Sequence, residues 1–350
     1  MKALVLSGGG FKGSYQVGVF KALKKLNYKF DIITGTSIGA LNGALIVSNQ
    51  YKKLLELWKN VKIDFVFTDE VDEEHLVLEY AKNIIENKGM NVDALEQNIK
   101  KYLSTRKFFN SNINYGLVTV NKKTLKPKYL TKKELNKDNL ADYLIASATF
   151  FPVFRSKKIN DEEYVDGGFY DNMPINLAIQ LGANEIIAID LEAIGVKRKI
   201  EGRAKITYIR PNNKLGPIMS VDPKQIKKNI DYGYNDTMKV FKLLEGKKYT
   251  FKKGELDKYY HLYKEKYELV ANKKKKGTVL TKTELRKILE NAATILNIDE
   301  TKIYTIKKLN NIIKKEANKQ NCFKSELKKI NKKALTLSIT DKIAIYLSII

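Results

Sequence analysis

The pentapeptide Gly35-Thr36-Ser37-Ile38-Gly39 lies between an apolar, strand-like run and an apolar, helix-like run. A serine on a sharp strand-to-helix turn can act as a nucleophile, and the small residues Gly35 and Gly39 relieve the crowding such a turn creates. A structural glycine turn is the competing reading. A serine needs a base to become nucleophilic, and the chain has two histidines, His75 and His261. His75 precedes every downstream aspartate. His261 has the chain order of a Ser–Asp–His triad, but it sits in the tyrosine- and lysine-rich stretch Tyr259-Tyr260-His261-Leu262-Tyr263, outside the α/β pattern. The natural candidate for another base is Asp166, at the end of a short strand and followed by Gly167 and Gly168, which leave its carboxylate uncovered. A plain Asp-Gly-Gly turn reads equally well at this point.

A second glycine cluster, Gly8-Gly9-Gly10-Phe11-Lys12-Gly13, follows the first strand and opens a helix. It satisfies the dinucleotide fingerprint, but that site wants an acidic residue at the far end of the second strand. Asp31 stands at the near end. The other use of such a loop is to converge backbone N–H groups on a developing anion. In acyl transfer that is an oxyanion hole, where losing one donor costs on the order of 3–4 kcal/mol of barrier. Lys12 is either a loop-positioning or phosphate-contacting residue or a solvated charge.

The elements that must hold these groups follow from hydrophobic periodicity. Ala3–Leu6 predicts a strand, and Val19, Ala22, Leu23 and Leu26 recur at helical spacing. Phe30–Thr34 predicts a second strand broken at Gly35, and Ala40–Val47 a buried helix. Strand, helix, strand, helix is the signature of a parallel α/β sheet. Residues 50–110 read as mostly helical and carry the acidic patch Asp69–Glu74. Further strands are expected at Tyr115–Val120, Tyr164-Val165, Glu185–Leu191 and Lys205–Ile209, with helices at Leu140–Ala148 and Ile175–Leu181. Beyond about residue 240, lysine-rich amphipathic helices take over, with few glycines and no prolines.

In order and context these motifs resemble the patatin-like phospholipases, a family of lipid acyl hydrolases. The resemblance covers residues 1–210: the glycine loop, Gly-Thr-Ser-Ile-Gly, then Asp-Gly-Gly. It is supported by Ala146-Ser147-Ala148 through Phe151-Pro152-Val153 and by Asp171-Asn172-Met173-Pro174 before Leu181-Gly182-Ala183, with Gly233-Tyr234 through Asp236 as a further trace. It implies a three-layer α/β sandwich with a mainly parallel central sheet, and a Ser37–Asp166 dyad in place of a triad. It also implies an oxyanion hole from the Gly8–Gly13 amides, and hydrolysis of phospholipid or acylglycerol esters through an acyl-Ser37 intermediate, without metal or organic cofactor. The alternatives are a His261-dependent esterase and a non-catalytic membrane- or nucleotide-binding module.

Charge divides the 350-residue chain, whose net value is +25. Residues 1–190 hold 26 Lys and Arg against 22 Asp and Glu, whereas residues 241–350 hold 27 against 12. The expected organisation is a catalytic domain over 1–210, a connecting segment over 211–240 that completes the core, and a basic helical region over 241–350. For that region the expected partner is an anionic membrane surface, met by lysines such as Lys273–Lys276 while the helices and the apolar tail Ala334–Ile350 dip in. Nucleic acid is the least favoured polyanion, since no recognised module accompanies the basicity. A single cysteine, Cys322, excludes an internal disulfide. With no signal-peptide pattern and no long uninterrupted apolar stretch, the expectation is a cytoplasmic protein, peripheral to the membrane at most.

Overall fold

The computed structural model describes residues 1–62, 89–319 and 336–350. His75, the acidic patch Asp69–Glu74 and Cys322 lie outside the described residues. The chain forms two compact units, Met1–Thr237 and Met238–Ile350.

The first unit is built on a mixed sheet of eight strands: β1 (Lys2–Leu6), β2 (Ile32–Thr36), β3 (Asn114–Asn121), β4 (Pro127–Thr131), β5 (Lys157–Ile159), β6 (Glu162–Asp166), β7 (Glu185–Ile189) and β8 (Lys205–Ile209). The pairing path is β5-β6-β3-β2-β1-β7-β8, with β6 and β2 meeting successive stretches of one edge of β3 and β4 covering the other. Strands β3, β2, β1, β7 and β8 run parallel, while β4 and β6 pair antiparallel with β3, and β5 antiparallel with β6. The helices are α1 (Ser14–Lys25), α2 (Ile38–Val47), α3 (Tyr51–Asn60), α4 (Asp93–Tyr102), α5 (Thr105–Phe109), α6 (Leu140–Ala148), α7 (Ile175–Gln180) and α8 (Pro223–Val240).

Side chains alternate across a strand, so the central strands bury both faces. Ala3, Val5, Ile32, Ile186 and Ala188 pack with Met173, Ile175 and Ala178 on the α7 side. Leu6 points the other way, to α2, where its Cδ1 would lie 3.3 Å from a Cβ on Gly43. Helices on both faces of the sheet make three layers. Residues 211–237 belong to this unit. Helix α8 crosses α1 in backbone contact: a Cβ at Gly18 would fall 1.8 Å from the Ile230 carbonyl oxygen, and one at Gly233 2.1 Å from that of Tyr15. Asp236 fastens the crossing, accepting from the Tyr15 hydroxyl (3.2 Å) and from the Asn212 side chain (2.8 Å).

Strand β2 departs from the sequence expectation. It runs through Gly35, which pairs with Leu6 on one side and Leu117 on the other. Glycine is there because α2 folds back onto the strand, not because the strand ends. The strands β4 and β5, at the antiparallel margin, were not expected.

The second unit holds a three-stranded sheet, β9 (Leu244–Glu245), β10 (Thr250–Lys252) and β11 (Ile303–Tyr304), with β10 in the middle. Its helices are α9 (Glu255–Lys274), α10 (Lys282–Ile295), α11 (Ile306–Lys319) and α12 (Ile339–Ile349). The region is mainly helical, as expected, with this small sheet in addition. The expectation that the apolar tail is offered to lipid is corrected. Ile343, Ala344, Ile345 and Tyr346 are fully buried in the unit's own core with Leu285, Ile288 and Ile313. A Ser338–Asp341 capping box starts that helix. Lys273 and Lys274 close α9, where cations oppose the helix dipole. Among the described residues, no helix is long and apolar enough to cross a membrane.

Candidate active site

Strand β3 is the template that brings the two predicted catalytic residues together. Gly116–Val118 pair with β2 and β4 at once, so those strands lie on opposite edges. Thr119 and Val120 pair with β4 and β6, so β6 shares its edge with β2. Thr36 stands opposite Val118 and Asp166 opposite Thr119. One edge of one strand therefore sets the end of β2, where Ser37 follows, beside the end of β6.

Ser37 turns the chain from β2 into α2 with φ 56° and ψ −129°. A non-glycine residue held there stores on the order of 1–3 kcal/mol of strain. The flanking glycines make the turn sterically feasible: a Cβ at Gly35 would lie 2.4 Å from the Gly39 carbonyl oxygen, and one at Gly39 2.3 Å from that of Leu6. The Ser37 amide donates to Ser147 Oγ (3.0 Å), and Ser147 Oγ donates to the Val118 carbonyl (2.6 Å). Thr36 Oγ1 donates to the Asp171 carbonyl (2.8 Å).

Asp166 is buried, accepts from the Gly168 amide (2.7 Å), and is hydrogen-bonded to the Ser37 side chain. Burial raises its pKa from 3.8 to about 6, against the two hydrogen bonds that favour the carboxylate. Gly167 lets the chain turn beneath it, since a Cβ there would fall 2.2 Å from the Val118 carbonyl oxygen.

The glycine loop lies along the same end of the sheet. Its amides are not equivalent. Gly8 donates to the Asn172 carbonyl (3.0 Å), Phe11 to that of Ile218 (2.9 Å) and Lys12 to that of Gly9 (3.2 Å). Gly13 lies inside the short 3₁₀ turn Gly10–Gly13. Among the described residues the Gly9 and Gly10 amides have no acceptor. Gly10 adopts φ +54°, a conformation glycine reaches without strain. Lys12 is half-buried in the turn.

Ser37 stands where two cavities meet. One, of about 140 Å³, runs among Leu41, Leu45, Leu54, Trp58, Leu95 and Ile99 and is almost wholly apolar. The other, of about 360 Å³, holds Gly9, Gly10 and Asp166 with Phe150, Phe154 and Met219. The arrangement can activate a hydroxyl, neutralise an oxyanion and shelter a long apolar chain.

Several positioning residues escaped sequence reasoning. Asn42 donates to the Gly13 carbonyl (3.1 Å) and Gln16 Oε1 (2.9 Å), and accepts from Trp58 Nε1 (2.9 Å). Gln16 in turn donates to the Ser7 carbonyl (2.7 Å). This network ties the glycine loop to α1, α2 and α3. Asn172 lines the larger cavity with its buried Nδ2 lacking an acceptor among the described residues. Only a polar residue inside an apolar helix, such as Asn42, could have drawn notice. His261 lies on the second unit's α9, highly exposed, with Nε2 3.7 Å from Asp257 Oδ1 one turn earlier. It is not among the residues that build the Ser37–Asp166 site.

A family model described as patatin-like phospholipase matches residues 4–179. Lysophospholipase nte1 of Aspergillus terreus is 27% identical over 196 residues, 55% of this chain and 12% of that protein. Patatin-like phospholipase domain-containing protein 7 of Rattus norvegicus is 28% identical over 194 residues, 54% of this chain and 13% of that one. The chain thus matches only a small fraction of the length of these relatives. The crystal structure of VipD from Legionella pneumophila aligns with a TM-score of 0.43 at 14% identity, over 99% of this chain and 90% of that one.

Proposed function

The chain belongs to the patatin-like phospholipase family, and on that premise we propose that it hydrolyses fatty acyl esters of phospholipids or acylglycerols through an acyl-Ser37 intermediate. The observation that carries this reading is the strained Ser37, hydrogen-bonded to buried Asp166 at the junction of two apolar cavities. In the reaction, the Asp166 carboxylate takes the Ser37 hydroxyl proton as Oγ attacks the ester carbonyl. The Gly9 and Gly10 amides meet the oxyanion of the tetrahedral intermediate. Collapse breaks the ester bond, and the alcohol leaves with the proton from Asp166. Water then repeats the sequence on the acyl-enzyme, freeing the fatty acid and restoring Ser37.

Burial prepares Asp166 for both roles. A carboxyl group with a pKa of about 6 is a better proton acceptor than an ordinary aspartate, yet it is largely ionised at neutral pH. The apolar cavity beside α3 and α4 accommodates part of the acyl chain. We assign catalysis to the first unit and read the lysine-rich second unit as an accessory that adds attraction to anionic lipid surfaces. The relative named as a lysophospholipase makes a monoacyl phospholipid the first substrate to assay.

Product analysis on a mixed phospholipid, lysophospholipid and acylglycerol panel tests the reading, together with labelling of Ser37 by a fluorophosphonate. Fatty acid release that disappears in Ser37→Ala and Asp166→Asn but persists in His261→Ala is expected. Loss in His261→Ala, or full activity in Asp166→Asn, overturns the dyad.

A further inference from the structure

Strands β7 and β8 are parallel neighbours, yet the chain between them carries no helix. A parallel connection usually crosses over through a helix. Here residues 190–204 instead form an irregular loop starting from the carboxyl end of β7, the end at which ligands bind in open α/β sheets. The loop is not loosely held. Its backbone is fastened to the floor of the site: the Val196 amide donates to the Gly168 carbonyl (2.9 Å), and the Asn172 amide to that of Val196 (2.6 Å). Asn176 Nδ2 donates to the Lys199 carbonyl (2.8 Å) and Asn176 Oδ1 accepts from the Glu201 amide (2.9 Å). At its root Lys197 Nζ donates to both oxygens of Asp190 (2.8 Å each).

The apolar side chains on this fixed backbone face solvent. Ile194 is 80% exposed, Val196 44% and Ile200 37%, and Phe169 of the neighbouring Asp-Gly-Gly turn is 46% exposed. Lys197, Arg198, Lys199 and Arg203 are interleaved with them against Asp190, which pairs with Lys197, and Glu192 and Glu201. Phe169, Ile194 and Val196 border the cavity that contains Ser37 and Asp166. An exposed apolar patch rimmed by basic residues suits a surface with hydrocarbon beneath a layer of phosphate.

We propose that the 190–204 loop, with Phe169, is the face by which the catalytic unit docks on an anionic lipid bilayer: Ile194 and Ile200 enter the acyl boundary, and Lys199 and Arg203 meet the head-group phosphates. The proposal rests on the lipid-hydrolase reading for its choice of partner. The same contact presents the cavity mouth to the bilayer, so a substrate acyl chain passes to Ser37 without crossing water. Basic residues near such a surface each add about 1 kcal/mol, an attraction that salt weakens.

The test uses the full chain carrying Ser37→Ala, floated with vesicles of phosphatidylglycerol and phosphatidylcholine or of phosphatidylcholine alone. Ile194→Asp/Ile200→Asp is expected to reduce vesicle binding about tenfold. Lys199→Glu/Arg203→Glu is expected to weaken binding to the anionic vesicles and flatten its salt dependence. With Ser37 restored, Lys199→Glu/Arg203→Glu is expected to cleave a soluble short-chain ester at the parent rate while losing activity on vesicles. Unchanged vesicle binding in both pairs overturns the proposal and points to a protein partner for the patch. Absence of soluble-ester cleavage by the unsubstituted protein counts against the hydrolase reading, and the Ser37→Ala vesicle arm still decides the docking face.

Discussion

In the first unit the buried carboxylate Asp166 is hydrogen-bonded to the neutral Ser37 hydroxyl and Gly168 amide, and burial lifts its pKa to about 6. In the second, the buried carboxylate of Glu290 accepts from the Arg286 guanidinium (2.7 Å) and from the amides of Lys247 (2.6 Å) and Tyr249 (3.4 Å). Ser37 is a serine held at positive φ between a strand and a helix. The second unit's Asn297 also has positive φ, just past the end of α10, where asparagine commonly closes a helix. A strained Ser37, an Asp166 whose pKa is raised by burial, and the Gly9 and Gly10 amides thus coincide at one place in the first unit. The second unit satisfies Glu290 and the start of α12 locally, yet holds Lys242 at positive φ and keeps Thr250 Oγ1 and the Tyr267 hydroxyl buried without a partner among the described residues. The difference is one of convergence: the first unit's exceptions meet at one serine, and the second unit's do not.

The sharpest test of this contrast is to disable one residue in each unit. Ser37→Ala is expected to lower ester hydrolysis by on the order of 10⁴-fold, whereas His261→Ala stays within about twofold. Comparable losses would erase the distinction. Two glycines at positive φ give the next test. A Cβ at Gly10 would meet the Ile218 carbonyl oxygen at 2.3 Å, whereas one at Gly254 meets nothing within 4 Å. Gly10→Ala is expected to cut kcat by on the order of 10²-fold or more through displaced oxyanion amides.

The carboxylates offer a comparison of opposite sign. Asp166 keeps, between pH 3.8 and about 6, a proton that the unfolded chain has released. The stability this contributes is complete below pH 3.8 and lost as pH rises through 6. Asp166→Asn is therefore expected to stabilise the protein at pH 8 by on the order of 2 kcal/mol while abolishing turnover. Glu290→Gln weakens a buried, charge-assisted pairing and is expected to destabilise by about 1–3 kcal/mol, with kcat unchanged. Denaturant unfolding at pH 8 measures both. The same aspartate predicts a pH–rate profile that rises with the ionised fraction and levels off above pH 6. Gly254→Ala should cost only about 1–2 kcal/mol in a thermal melt and leave turnover intact.

How much of this was legible in the sequence follows from distance along the chain. Ser37 with Gly35 and Gly39, and Asp166 with its two glycines, are short segments whose chemistry is local, so residue types bring them forward as candidates, and their order in the chain favours them over plain turns. The central strands were legible because both faces are buried and their composition is uniformly apolar. Strands β4 and β5 were not: Pro127–Thr131 and Lys157–Ile159 bury few residues, and their partners lie elsewhere in the chain. Ser147, Gln16 and Trp58 act through partners on other elements, which spacing cannot reveal. The Ala334–Ile350 tail misled for a related reason. Apolarity states that a surface will be covered, and only the fold states that the second unit's own core covers Ile343–Tyr346.

The shared edge of β3 has a bearing on the protein's life before it is complete. A ribosome releases the elbow, and α2 behind it, long before it releases Asp166. More than half of the first unit's length separates the two. Until β6 seats itself beside the end of β2, Ser37 lacks its Asp166 partner, however well its turn is formed. On the proposed dyad, a nascent chain, or one cut short before β6, carries a serine without its base. The topology would then defer ester hydrolysis until the sheet is whole.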